Sequence, residues 1–198
     1  MTYYTLSDPC TATLEIKKSQ FLGFGFAIDS REQLMFHVEQ LRNQYPDARH
    51  VCYGYIIGDP HNTTSAGFDD DGEPSGTAGK PILNVLQHKG IGNCVVIVVR
   101  YFGGIKLGAG GLTRAYSSTA QAVVDNMNLH AFVPLSVILI ETDFANESFV
   151  RHTLDGFNAT ILKVDYGKNV VLTVEAAQKS VQVLSEKIGF YGTVKASE

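Results

Sequence analysis

Residues 94–126 read CVVIVVRYFGGIKLGAGGLTRAYSSTAQAVVDN. Val95-Val96-Ile97-Val98-Val99 is an unbroken apolar run, β-branched throughout and too short for an ordinary helix. Such a run suits a strand covered on both faces. Arg100 and Tyr101 follow, then a loop holding five of the chain's 19 glycines: Gly103, Gly104, Gly108, Gly110 and Gly111. Ala115, Thr119, Ala122 and Val123 fall on one face of a helix expected over 112–125. Strand, glycine loop and helix start together make a device for anions. Glycines let the backbone come close to a ligand, and the first N–H groups of a helix are unpaired at the positive end of its dipole. Lys106 and Arg114 add full charges there. The same spacing also fits a tight turn that only closes an α/β core.

The rest of the composition sets limits. With 198 residues, 44% hydrophobic and 18% charged, the chain is an ordinary globular protein of one large or two small domains. A net charge of −4 excludes a globally basic nucleic-acid binder, so any polyanion site is local. Cys10, Cys52 and Cys94 are odd in number and widely spaced, which points to a reducing cytoplasm rather than a disulfide framework. The first residues, MTYYTLSDPC, have no signal-peptide pattern, and no apolar run approaches a membrane span.

Outward from the central stretch, alternation predicts strands over 11–17 and 21–28 and another over 49–57. Ser30 with Gln33 forms a capping-box pattern ahead of a helix over 31–45, ended by Pro46. His50 and Cys52 share a strand face, but two ligands without partners at metal spacing do not make a site. Residues 58–79, GDPHNTTSAGFDDDGEPSGTAG, are expected to be one long polar loop, with four carboxylates in the five positions Asp69–Glu73. Pro81 is expected to open a short helix over 82–89. Beyond Val133-Pro134 the pattern becomes β-α-β-β-α-β, a split βαβ arrangement, so the expected domains are 1–132 and 133–198.

Two segments, DDDGEPSGTAGKPILNVL (residues 69–86) and RYFGGIKLGAGGLTRAY (residues 100–116), closely resemble the signature of the YigZ/IMPACT family. KSQFLG near the start and HVCYGY at residues 50–55 support the match. Asp69 stands where that family commonly has serine, and Thr113 where an aliphatic residue is usual. The resemblance implies an α+β protein. Its N-terminal domain would be like the second domain of ribosomal protein S-five, a fold shared with domain IV of elongation factor G, the ribonuclease P protein and small-metabolite kinases. Its C-terminal domain would be ferredoxin-like, similar to domain V of elongation factor G. Eukaryotic members regulate translation in a starvation response through a partner protein. They use an additional N-terminal domain without a counterpart in these residues, so that partner does not carry over. Fold kinship alone is an associational argument.

Three kinds of function compete. The favoured one is a non-enzymatic, translation-linked regulator that binds RNA, a ribosomal surface or a translation factor. Lys80, Arg100, Lys106 and Arg114 are its cations; Gly108, Gly110 and Gly111 shape the backbone; Tyr101, Phe102 and Tyr116 are available to stack on bases. The alternative is an enzyme acting on a phosphorylated small molecule or nucleotide, with Mg²⁺ on Asp70, Asp71 and Glu73. Those carboxylates, with Gly72, Ser75, Gly76 and Thr77 around them, serve equally well as a salt-bridge lock on the basic residues, and the lock is preferred. Neither a resident cofactor nor a catalytic residue is expected. Ser75, Thr77 and Cys94 lack a neighbouring histidine, and no G-x-S-x-G elbow occurs. The third kind is a protein adaptor using the acidic residues 67–73.

Overall fold

The computed structural model describes residues 3–196, which divide into two compact units with the boundary between Phe132 and Val133. The chain is α+β. In the first unit, β2 (Cys10–Ile16), β3 (Ser19–Ala27), β4 (His50–Asp59), β5 (Asn62–Asp69) and β6 (Cys94–Tyr101) form one antiparallel sheet of order β2-β3-β6-β4-β5. Strand β6 is the middle strand. Its whole apolar run, Val95 to Val99, is fully buried because helices cover both faces. On one face Val95, Ile97 and Val99 pack with α1 (Arg31–Gln44) through Leu34, Val38 and Leu41. On the other, Val96 and Val98 pack with α2 (Gly79–His88) and α3 (Ala109–Asp125). Removing each such side chain from water stabilises the fold by ~1.5–3 kcal/mol.

Ser30 caps α1 by accepting from the Gln33 N–H at 3.4 Å, while the Gln33 side chain takes the Asp29 N–H at 3.0 Å. Residues 58–79 are not one loop, contrary to the sequence reading. Asn62–Asp69 forms β5, the edge strand paired to β4. Its side chains are mostly polar and exposed, so it has no apolar alternation to announce it. Two helices start earlier than expected. α2 begins at Gly79, leaving Pro81 inside the first turn, where its missing N–H costs nothing. α3 begins at Ala109 rather than Leu112. Two short strands that the pattern does not reveal, β1 (Tyr3–Leu6) and β7 (Leu129–Phe132), pair with each other.

The second unit has a four-stranded antiparallel sheet of order β11-β8-β10-β9, from β8 (Leu135–Thr142), β9 (Thr160–Tyr166), β10 (Val170–Ala177) and β11 (Gly192–Ala196). α4 (Glu147–Asp155) and α5 (Val181–Ile188) pack on it through Val150, Leu154, Leu184 and Ile188. No helix among the described residues is long and apolar enough to cross a membrane.

Candidate anion-binding site

The antiparallel pairing of β4 with β6 sets His50 opposite Arg100. That register brings the start of β4, the acidic segment after β5 and the glycine loop after β6 to one end of the sheet. A cavity of about 360 Å³ lies there, lined among others by Arg49, His50, Glu73, Arg100, Phe102 and Lys106. Gly108, Ala109 and Leu112, at the start of α3, complete the wall.

Each carboxylate of the acidic segment is spent on the protein. Asp69 accepts the Asp71 N–H at 2.7 Å. Asp70 accepts from Gly76 at 2.7 Å, Ala78 at 3.0 Å and Gly79 at 2.8 Å, capping α2 from outside the helix. Asp71 accepts from the Val51 N–H at 2.6 Å and pairs with Arg42 at 2.8 Å. Glu73, 9% exposed, pairs with Arg100, and the Tyr116 hydroxyl donates to the same carboxylate oxygen at 2.8 Å. Thr77 donates to the Pro74 carbonyl, Gly72 and Gly76 take the positive φ angles of the turns, and Ser75 is exposed. Among the described residues, no three histidine, cysteine, aspartate or glutamate side chains gather as a metal-holding group.

Several expected site residues stand elsewhere or do other work. Tyr116 is fully buried, so it cannot stack on a base; it is the pin that holds Glu73. Burial pushes its phenol well above the ordinary range, and burial likewise pushes the Cys52 thiol up. The single Cys52 S–H has two acceptors in reach, the Asp70 carbonyl at 3.0 Å and the Tyr116 hydroxyl at 3.4 Å, and burial keeps both the thiol and the phenol protonated. Tyr101 alternates with Arg100 along β6 and packs in the core beneath α1, on the opposite face of the sheet from Arg100. Arg114 and Lys80 are exposed, on α3 and α2, and do not line the cavity. Arg100 is not a free surface cation. It is 5% exposed, sits over the rings of Phe21 and Phe102, and gives one Nη to Glu73. Its Nε has no hydrogen-bond partner among the described residues.

The glycine loop is built for close approach. A Cβ on Gly103 would stand 2.0 Å from the Lys18 carbonyl carbon, where the loop crosses the β2–β3 turn, and its N–H donates to Ser19 Oγ at 3.1 Å. Gly108, the residue capping α3, has φ +70° and ψ 165°, a conformation open to glycine alone. No side chain caps α3; its first internal bond runs from the Leu112 N–H to the Gly108 carbonyl. The N–H groups of Ala109, Gly110 and Gly111 therefore have no partner within the helix. Single-sequence reading missed Arg49, and it weighed His50 as a metal ligand or as the base of a spatial triad, not as part of an anion site. His50 donates from Nδ1 to the Asp71 carbonyl at 2.8 Å, which fixes its tautomer and leaves Nε2 as the second nitrogen. The signal for both residues is the β4–β6 register, a tertiary fact.

The Impact N-terminal domain matches residues 17–124. The IMPACT family member YigZ of Escherichia coli is 36% identical over 180 residues, covering 91% of this chain and 88% of that protein. The chain belongs to the IMPACT family. The Bacillus subtilis member YvyE is 29% identical, covering 93% of this chain and 84% of its own. A crystal structure of a hypothetical protein superposes with a TM-score of 0.73 at 33% identity, covering 100% of this chain and 98% of that one. The IMPACT homolog of Saccharomyces cerevisiae is 31% identical over 124 residues, or 61% of this chain and 46% of that protein. A solved structure of Yih1, described as a two-domain translational regulator, is 27% identical over 62% of this chain and 46% of its own, with a TM-score of 0.35.

Proposed function

We propose that this IMPACT family member is a non-enzymatic, translation-linked regulator of the cytoplasm that binds RNA, free or on a ribosomal surface, at the cavity beside the glycine loop. The observation that carries the reading is a cavity lined by Arg49, Lys106 and Arg100 at an uncapped helix start, with the buried Arg100 Nε unpartnered among the described residues. Unpaired backbone donors, a helix dipole and cations favour phosphate oxygens. Phe102, 51% exposed at the rim, offers a ring for a base. The translational link is supported by kinship with a family in which Yih1 is described as a translational regulator. In this reading the carboxylates are a lock and no metal or cofactor takes part. A magnesium-dependent enzyme would need oxygens that Asp70, Asp71 and Glu73 already give to backbone N–H groups, Arg42, Arg100 and Tyr116.

The test is fluorescence anisotropy with single-stranded RNA across a salt series. Two phosphate contacts give a log–log slope of roughly −1.4, at about 0.7 per phosphate. Arg49→Gln with Lys106→Gln is expected to flatten that slope. Affinity independent of salt and of these two residues would overturn the reading.

A further inference from the structure

We infer that the cavity takes a phosphomonoester, the terminal phosphate of an RNA strand or of a nucleotide, rather than the internal phosphodiesters of a strand passing through. This inference deepens the reading of the cavity as an anion site and rests on it.

The first reason is the arrangement of charge. A protein that tracks a backbone spreads its cations along a groove. Here the cations gather at one point. Lys80 and Arg114, which would extend a track along α2 and α3, do not line the cavity, whereas Arg49, Arg100 and Lys106 do. Among the lining side chains, three cations are set against the single carboxylate of Glu73, leaving two positive charges. The start of α3 adds roughly half a charge more. An internal phosphodiester carries one negative charge. A terminal phosphate monoester carries about −1.5 to −2 near pH 7 and presents three acceptor oxygens.

The second reason is the arrangement of donors. The N–H groups of α3's first turn stand at the cavity wall where Gly108 and Ala109 line it. Arg100 is held by Glu73 through Nη1, so its guanidinium cannot swing away, while its Nε is still unsatisfied. A buried N–H without an acceptor is unfavourable, and a phosphate oxygen within reach removes that deficit. Arg49, just before β4, brings donors from a third segment to the wall, while His50 keeps its Nδ1–H on the Asp71 carbonyl and so presents Nε2 as an acceptor. Donors from three separate segments suit the several oxygens of one terminal group. A second ester bond, as in an internal phosphate, would leave only two of those three oxygens free.

The third reason is size. About 360 Å³ is the lower end of the range for small-molecule pockets and is enough for a nucleotide-sized group. Pro74, Leu107 and Leu112 form the apolar part of the wall. Phe102 stands at the rim with its ring 5.8 Å from the Arg100 guanidinium carbon, placed for the base or sugar next to a seated phosphate.

The experiment uses the full chain and one short single-stranded RNA in three forms, with a 5′-phosphate, a 3′-phosphate or hydroxyls at both ends. A nucleoside monophosphate, the parent nucleoside and inorganic phosphate serve as competitors. The expected result is at least a tenfold preference for one phosphorylated end, with competition by the monophosphate and none by the nucleoside. Arg49→Gln with Lys106→Gln, both exposed positions, is expected to abolish the preference with thermal stability retained. Lys80→Gln with Arg114→Gln is expected to leave it intact. Equal, salt-dependent binding of all three RNAs would overturn the terminal-phosphate inference and leave the RNA reading standing. Binding of the free monophosphate with no RNA bound at all would support the phosphomonoester pocket and overturn RNA as its source. Failure of every ligand to bind would overturn both.

Discussion

Glu73 is the buried carboxylate of the acidic segment. It is 9% exposed, and its carboxylate engages both the Arg100 guanidinium and the Tyr116 hydroxyl, tying the acidic segment to β6 and α3. Breaking a buried ion pair from one side leaves the other charge uncompensated, at a cost of about 3–5 kcal/mol. Glu73→Gln is therefore expected to lower the melting temperature by roughly 10 °C in scanning calorimetry. Tyr116→Phe removes one donor and leaves the ion pair, so its cost should be smaller, about 1–3 kcal/mol. The reverse ranking would show that the hydroxyl, not the ion pair, holds the segment. His37 supplies a pH dependence at the same scale. Burial holds its imidazole below the ordinary value of 6.5, in a stack with Phe26. As pH falls through 6.5 the unfolded chain takes up this proton first, so stability falls with pH until the lower folded value is passed, and is unaffected by His37 well above 6.5. Urea denaturation of His37→Gln above and below pH 6.5 is expected to show a smaller loss on acidification than the parent shows.

Among the elements, α2 depends on a cap that is not its own. Ala78 offers no capping side chain, and Asp70, eight residues earlier, accepts the Ala78 and Gly79 N–H groups instead. Asp70→Ala strands those donors and the Gly76 N–H, and is expected to cost about 1–3 kcal/mol and to speed hydrogen exchange in the first turn of α2. Unchanged exchange there would mean that water replaces the carboxylate without loss. This remote cap also shows where a single sequence is legible. The apolar run of β6 and the Ser30 start of α1 are written in adjacent residues, so both are readable. β5 is not, because an exposed polar edge strand is specified by its neighbour β4 and not by its own alternation. Gly110 and Gly111 are poor helix formers, which hides the first turn of α3. For the site, the glycine loop and Lys106 are visible as a motif. A carboxylate lock on the basic residues is legible too, but the choice of Glu73 and Arg100 as its partners, the burial of Tyr116 and the place of Arg49 need the β4–β6 register.

For the whole molecule, net charge and core organisation set the expectations. At −4 overall, the surface away from the cavity does not attract a polyanion, so binding through two or three cations must be weak in reach and strict in place. The cores are separate: the clusters on the two faces of the five-stranded sheet draw only on residues up to Met127, and the cluster of the second unit begins at Ile138. A side-chain network confined to one core should set the stability of that core alone. Two calorimetric transitions are therefore expected, with the smaller unit melting at the lower temperature, because a domain of about 60 residues buries a smaller share of its surface than one twice that size. Glu73→Gln should move the transition of the first unit and leave the other in place. Leu172→Ala, which opens a cavity in the second core at a cost of about 2–5 kcal/mol, should do the opposite. If either substitution shifts a single transition as a whole, the two cores unfold together and each must be stabilised by the other.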